Sequence, residues 1–115
     1  YNVDQSRDIS VVAVIRSDEE GETETIIGAG RYLLNRSTNE AEFALTVHDD
    51  YQGRGIGTYL LNHLMRIAKS KGVDAFIAYV HPQNQPMIRF IHKTGKVVES
   101  KLSIQDEEYL FRLKL

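Results

Sequence analysis

No cysteine occurs among the 115 residues. That excludes disulfides, thiolate nucleophiles and cysteine-based zinc sites. It fits a reducing compartment, so a cytoplasmic location is the expectation. An excess of charge is missing too. The formal net charge is -2, which offers no bulk positive field to draw in nucleic acid or an anionic membrane, and neither is expected as a partner. No apolar run approaches the ~20 residues of a membrane span, and no signal-peptide pattern opens the sequence. No two histidines share a metal-ligand spacing with a carboxylate, so no metal is expected. Internal repeats, linkers and low-complexity segments are absent. What remains is 42% hydrophobic and 26% charged, an ordinary globular composition, and the length fits a single domain over residues 1–115 rather than two. The sequence opens on Tyr1 and its apolar pattern begins almost at once, so it reads as a piece of a longer domain or chain.

Residues 9–15 (ISVVAVI) are near-continuously apolar and β-branched, the pattern of a strand covered on both faces. Residues 18–24 are charged around Gly21 and predict a hairpin turn. Residues 25–34 form the return strand, where Gly28 and Gly30 point to a bulge or a close backbone approach. A polar turn at 35–39 leads to a third strand at 42–47. The period changes after Gly57: Tyr59, Leu60, Leu64, Ile67 and Ala68 recur at helical spacing. Lys69 and Lys71 suit the negative end of that helix, and Gly72 ends it. A strand at 74–80 follows, then a short helix from Pro86 to Thr94 that stops at Gly95, then strands at 97–104 and 109–115. The order βββαβαββ implies an α+β fold: a mixed, mostly antiparallel twisted sheet with helices on its faces.

The segment that carries chemistry is residues 49–61, DDYQGRGIGTYLL, where a strand ends and a glycine-rich turn opens an amphipathic helix. Backbone N–H groups at such a start have no helical acceptors, and the dipole adds partial positive charge. Phosphate or pyrophosphate fits there. Gly53, Gly55 and Gly57 would let oxygen atoms approach the main chain, and Arg54 can add a charged contact. A P-loop would need lysine after its last glycine, but Thr58 follows Gly57. A dinucleotide fingerprint would need different glycine spacing and an acidic residue ending the next strand, whereas Asp74 precedes it.

Gln52-Gly53-Arg54-Gly55-Ile56-Gly57 resembles the Gln/Arg-x-x-Gly-x-Gly/Ala pyrophosphate loop of the GNAT N-acetyltransferase superfamily. The likeness extends from Ile9 to the C-terminus. It implies acetyl-CoA as the acyl donor, held in a V-shaped gap between the strands at 42–47 and 74–80. The pantetheine arm would pair with backbone groups of Leu45, Thr46 and Val47. The pyrophosphate would lie on Gln52, Gly53, Arg54, Gly55, Ile56, Gly57 and Thr58, and Asn84 would touch the arm. Ala41-Glu42-Phe43, the VHDDYQGRGIGT run and the early VDQSRDISVVAV and IIGAGRY segments are most similar to bacterial Pat-type protein lysine acetyltransferases. The implied acceptor is then a protein lysine, with an acyl-CoA synthetase as the partner. The resemblance also implies a strand and two helices ahead of the position of Ile9, forming one wall of the acceptor site, which these residues lack.

A lysine of pKa ~10.4 must lose its proton to attack a thioester. Glu42 matches the glutamate of Pat-type enzymes and is the candidate base; the plainer alternative is a solvated glutamate at a strand end. Alternation places Glu42, Ala44 and Thr46 on one face, away from Phe43, Leu45 and Val47, unless the bulge that the resemblance implies in this strand changes the facing. A backbone N–H near 45–47 could hold the oxyanion. His48 and His81 could serve as base in place of Glu42, or cap strand ends. Many family members carry a tyrosine that reprotonates the departing thiolate; here Ile91 falls at that position, with His92 beside it. Two other readings stay open: acylation of a small amine or a protein N-terminus, and a non-catalytic acyl-CoA-sensing module of a larger protein.

Overall fold

The computed structural model of the protein describes residues 8–17 and 23–115. Its elements are β1 (Asp8–Ser17), β2 (Thr23–Asn35), β3 (Glu40–Val47), a 3-10 turn (Asp49–Tyr51), α1 (Ile56–Ser70), β4 (Ala75–Val80), α2 (Gln85–Lys93), β5 (Val97–Ser103) and β6 (Glu108–Lys114). The predicted hairpin turn at 18–24 falls mostly outside the described residues, and so does the two-faced burial expected for residues 10–15. The six strands form one sheet in the order β1-β2-β3-β4-β6-β5. All neighbours are antiparallel except β3 and β4.

The β3–β4 junction shapes the molecule. Parallel pairing joins Glu40, Ala41 and Glu42 to Ala75, Phe76 and Ile77, and stops there. Beyond that rung β3 keeps its ladder with β2 as far as Val47, and β4 keeps its ladder with β6 as far as Val80. The sheet is therefore two ladders joined at their base, with a gap opening between them.

The β2 glycines predict a bulge or a close approach, and the structure has a counterpart of each. The β1–β2 register shifts between Ala13 and Val14, skipping Ile27. A Cβ on Gly30 would come within 2.9 Å of Leu45 Cδ2 and 3.0 Å of Leu64 Cδ1, so α1 lies directly on β2. The bulge expected in β3 is not there. Its register with β2 runs unbroken from Asn35↔Glu40 to Gly28↔Val47, because the irregularity sits in β2 and the gap arises from the loss of β4. The alternation consequently holds: Phe43 is buried, whereas Glu42 and Ala44 are exposed on the other face.

Phe76 stacks on Phe43 and tilts against Tyr32, at ring separations of 5.5 and 5.4 Å. Leu61, Leu64, Met65 and Ala68 of α1 and Ile91 of α2 close over this layer. Leu60, Leu64 and Ala68 keep the 3.6-residue stripe expected from the sequence, but Tyr59 is 63% exposed and Leu61 and Met65 are buried instead. Burial of each large side chain stabilises the fold by roughly 1.5–3 kcal/mol. Helix α1 ends at Gly72 (φ +82°), with Gly72 N–H donating to Lys69 O and Val73 N–H to Ala68 O, the paired bonds of a glycine C-terminal motif. Both helices pack on the Phe43/Phe76 side. The opposite side, with Leu33, Glu42, Ile77 and Tyr79, carries no helix among the described residues, and Leu33 and Tyr79 are each 53% exposed.

Candidate active site

The glycine loop takes its form from two left-handed residues, Gly53 (φ +78°) and Gly55 (φ +82°). No atom lies within 4 Å of where either Cβ would stand, so backbone conformation rather than crowding requires glycine there. Gly55 is the N-cap of α1 and has no side chain to cap it. The first backbone bond of the helix is Tyr59 N–H to Gly55 O, at 2.9 Å. Among the described residues, the N–H groups from Gly53 to Thr58 find no acceptor, and the first turn holds no acidic residue. The positive end of the dipole is thus left uncompensated by the protein.

These amides floor a cleft of about 660 Å³. Leu45 and Val47 of β3 line its inner end, and Asn84, Met87, Arg89, Phe90 and Lys93 form the opposite wall. A smaller cavity of about 290 Å³ continues into the gap between the strands, bounded by residues 42–45, Ala78, Tyr79, Val80, His81, Asn84 and Met87. His48 N–H donates to Ile27 O of β2 at 2.8 Å. By strand alternation Thr46 also turns its backbone to β2, while Leu45 and Val47 turn theirs toward the gap that β4 has left.

The residues singled out from sequence are thus placed unequally. Gly53, Gly55, Ile56, Gly57, Thr58, Leu45, Val47 and Asn84 line the cleft. Thr46 lines neither cavity. Gln52 lines the cleft, but its Nε2 donates to Val47 O (3.3 Å) and Asp49 Oδ1 (3.2 Å), so it braces the loop. The Arg54 guanidinium lies over the Tyr51 ring, 5.3 Å from its centre, off the cleft lining. Asn84 caps α2, its Oδ1 accepting from Met87 N–H at 3.3 Å.

Glu42 stands at the vertex, on the last rung before the strands part. It borders the gap cavity and also a third hollow of about 610 Å³ on the helix-free face, lined by Leu33, Glu40, Ile77 and Tyr79 among others. Two carboxylates face that hollow, and they differ. Glu40 is bound to Arg112, which reaches across β4 from β6. That hydrogen bond pushes the Arg112 guanidinium above the usual arginine value and keeps it charged. The Glu42 side chain has no hydrogen bond or ion pair among the described residues, and is left available for a proton.

The histidines take the capping role. His48 Nδ1 accepts from Asp50 N–H (3.2 Å) and His81 Nδ1 from Gln83 N–H (3.1 Å). An accepting Nδ1 leaves the proton of the neutral ring on Nε2, so neither ring presents a lone pair outward. Ile91 is fully buried and His92 packs edge-on against Phe111. The sequence reading did not place Met87, Arg89, Phe90 or Lys93 at the site. Their signal was the spacing Pro86/Phe90 and Arg89/Lys93, four apart in the helix that Asn84 opens.

The sequence profile of the Acetyltransferase (GNAT) family matches residues 4–95. Acetyltransferase Pat of Mycolicibacterium smegmatis is 38% identical over 79 residues, 68% of this chain and 24% of that protein. The L-amino acid N-acyltransferase MnaT of Escherichia coli is 26% identical over 99 residues, 85% of this chain and 58% of that protein. The crystal structure of the GNAT domain of S. lividans PAT superposes with a TM-score of 0.77 at 29% identity, covering 96% of this chain and 62% of that one. The chain therefore spans less than two thirds of each of these relatives.

Proposed function

The chain belongs to the Acetyltransferase (GNAT) family, and from that premise we propose that it carries the acyl-CoA site and the general base of a protein lysine N-acetyltransferase. One observation carries the reading. The floor of unpaired amides from Gly53 to Thr58 leads into a strand gap whose vertex is an unpartnered carboxylate, Glu42.

The loop amides take the pyrophosphate of acetyl-CoA. The outward backbone groups of Leu45 and Val47 pair with the pantetheine arm as a missing strand would, and the Asn84 side-chain amide borders it. The thioester then lies near Glu42. A lysine ammonium approaches across the helix-free face, where Leu33, Ile77 and Tyr79 offer apolar contact for its stem. Glu42 takes the proton, directly or through water. The free amine adds to the thioester carbonyl, and the Leu45 N–H stabilises the oxyanion. The C–S bond breaks, the thiolate leaves with the electron pair, and the second proton of the attacking nitrogen passes through water to the thiolate. It needs no donor at the position of Ile91, since a thiol of pKa ~8.5 is a competent leaving group.

Likeness to Pat supports a protein lysine as acceptor, and an acyl-CoA synthetase as the protein that bears it. The absence of cysteine fits a cytoplasmic setting. The MnaT likeness favours a second reading, in which the same site acylates a small amine. Incubating the protein with acetyl-CoA and either an acyl-CoA synthetase or a panel of amino acids separates the two by mass spectrometry. Acetylation of a synthetase lysine is expected; turnover of the panel alone overturns the lysine assignment.

A further inference from the structure

The cations on the cleft wall carry an inference that rests on the acyl-CoA reading above. Arg54, the cation inside the glycine loop, is turned onto Tyr51 and is absent from the cleft lining. Arg89 and Lys93 are the cations that do line it, one turn apart on α2. They are not equivalent. Arg89 borders only the main cleft. Lys93 also borders a side pocket of about 160 Å³ between the two helices, which shares Thr58 and Phe90 with the cleft and adds the polar side chains of Asn62 and Thr94.

The order of groups along the site is therefore fixed: strand gap, loop amides, Thr58, then the side pocket with Lys93. CoA presents its groups in a matching order, from thioester through pantetheine and pyrophosphate to the 3′-phosphorylated ribose. A phosphate monoester carries about −1.5 to −2 charges near neutral pH. The loop amides are occupied by the pyrophosphate, so this extra dianion needs a separate cation. A lysine ammonium meets a phosphate as a flexible point charge without demanding a planar geometry.

We propose that Lys93, at the junction of the cleft and the side pocket between α1 and α2, binds the 3′-phosphate and makes the protein select CoA over dephospho-CoA. Arg89, lower on the same wall, serves the pyrophosphate that both ligands share.

Titration calorimetry with CoA and dephospho-CoA tests this on the wild-type protein and on Lys93→Gln, Arg89→Gln and Lys71→Gln. Wild type should bind CoA about tenfold more tightly than dephospho-CoA, the scale of one charge-assisted contact. Lys93→Gln should lose that preference by weakening CoA alone. Arg89→Gln should weaken both ligands by a similar factor. Lys71→Gln removes an equal charge at the far end of α1 and should change neither. Equal weakening of both ligands by Lys93→Gln, or an unchanged preference, overturns the assignment while leaving the acyl-CoA reading in place. A wild-type protein that takes up neither ligand overturns that reading and the inference with it.

Discussion

Helices α1 and α2 begin on opposite walls of one cleft, and they begin in opposite ways. α2 is closed: the Asn84 side chain accepts from Met87 N–H, and Pro86 in the first turn has no N–H to leave unpaired. α1 is open: Gly55 supplies no cap, and six consecutive residues offer N–H groups to no protein acceptor among the described residues. A side-chain cap contributes about 1 kcal/mol. One helix in this chain has that contribution and the other forgoes it where a pyrophosphate would lie. In the proposed reading α1 is therefore the ligand-holding start and α2 the wall that faces it.

Chemistry should separate cleanly from either helix start. Replacing Glu42 with glutamine removes the base without touching the amides, so kcat/KM should fall by roughly 10²–10⁴-fold while calorimetric affinity for acetyl-CoA stays as it was. Unchanged turnover would mean that the proton goes elsewhere. Next in size, Gly55→Glu brings a carboxylate to the open start. Acetyl-CoA affinity should drop on the order of 100-fold through repulsion and lost access, with circular dichroism reporting whether the fold survives the strain of a side chain at φ +82°.

Opening the closed helix is the converse experiment. Asn84→Ala should lower the unfolding free energy in urea by about 1 kcal/mol and weaken acetyl-CoA only modestly, since the amides of α1 are untouched. A collapse of binding larger than that caused by Gly55→Glu would reverse the assignment of the two starts. Smallest of all, Gly57→Ala should change stability by no more than about 1 kcal/mol. Its Cβ would meet the Phe90 ring at an ordinary 3.5 Å, and helix propensity favours alanine. Affinity measured on the same variant shows how closely the ligand approaches that turn.

Much of this was legible in the sequence because it depends on neighbours along the chain. The order of elements, the stop at Gly72 and the uncapped glycine-rich start of α1 all follow from local residue chemistry. Gly28 and Gly30 pointed to a bulge or a close approach in β2, though not to α1 as the element that comes close. Other features depend on residues far apart in sequence, and no local pattern encodes them. Glu40 and Arg112 are 72 positions apart, yet their pairing decides which of two carboxylates is available. Arg54 looked like the phosphate contact, but an aromatic ring three residues earlier holds it aside. Arg89 and Lys93 were not expected at the site; the packing of α2 against the loop puts them on the cleft wall. Thr46 was expected among the pantetheine contacts, but alternation turns its backbone toward β2. The bulge that the resemblance implied in β3 was unnecessary once β4 parted company with it.

The most direct test of the open helix start is an amide correlation spectrum of the isotope-labelled protein during titration with acetyl-CoA. The expected result is that the N–H resonances of residues 53–58 move together with those of Leu45 and Val47, while Met87, whose N–H is already held by Asn84, moves little. Amides of residues 53–58 that stay in place while others shift would contradict it.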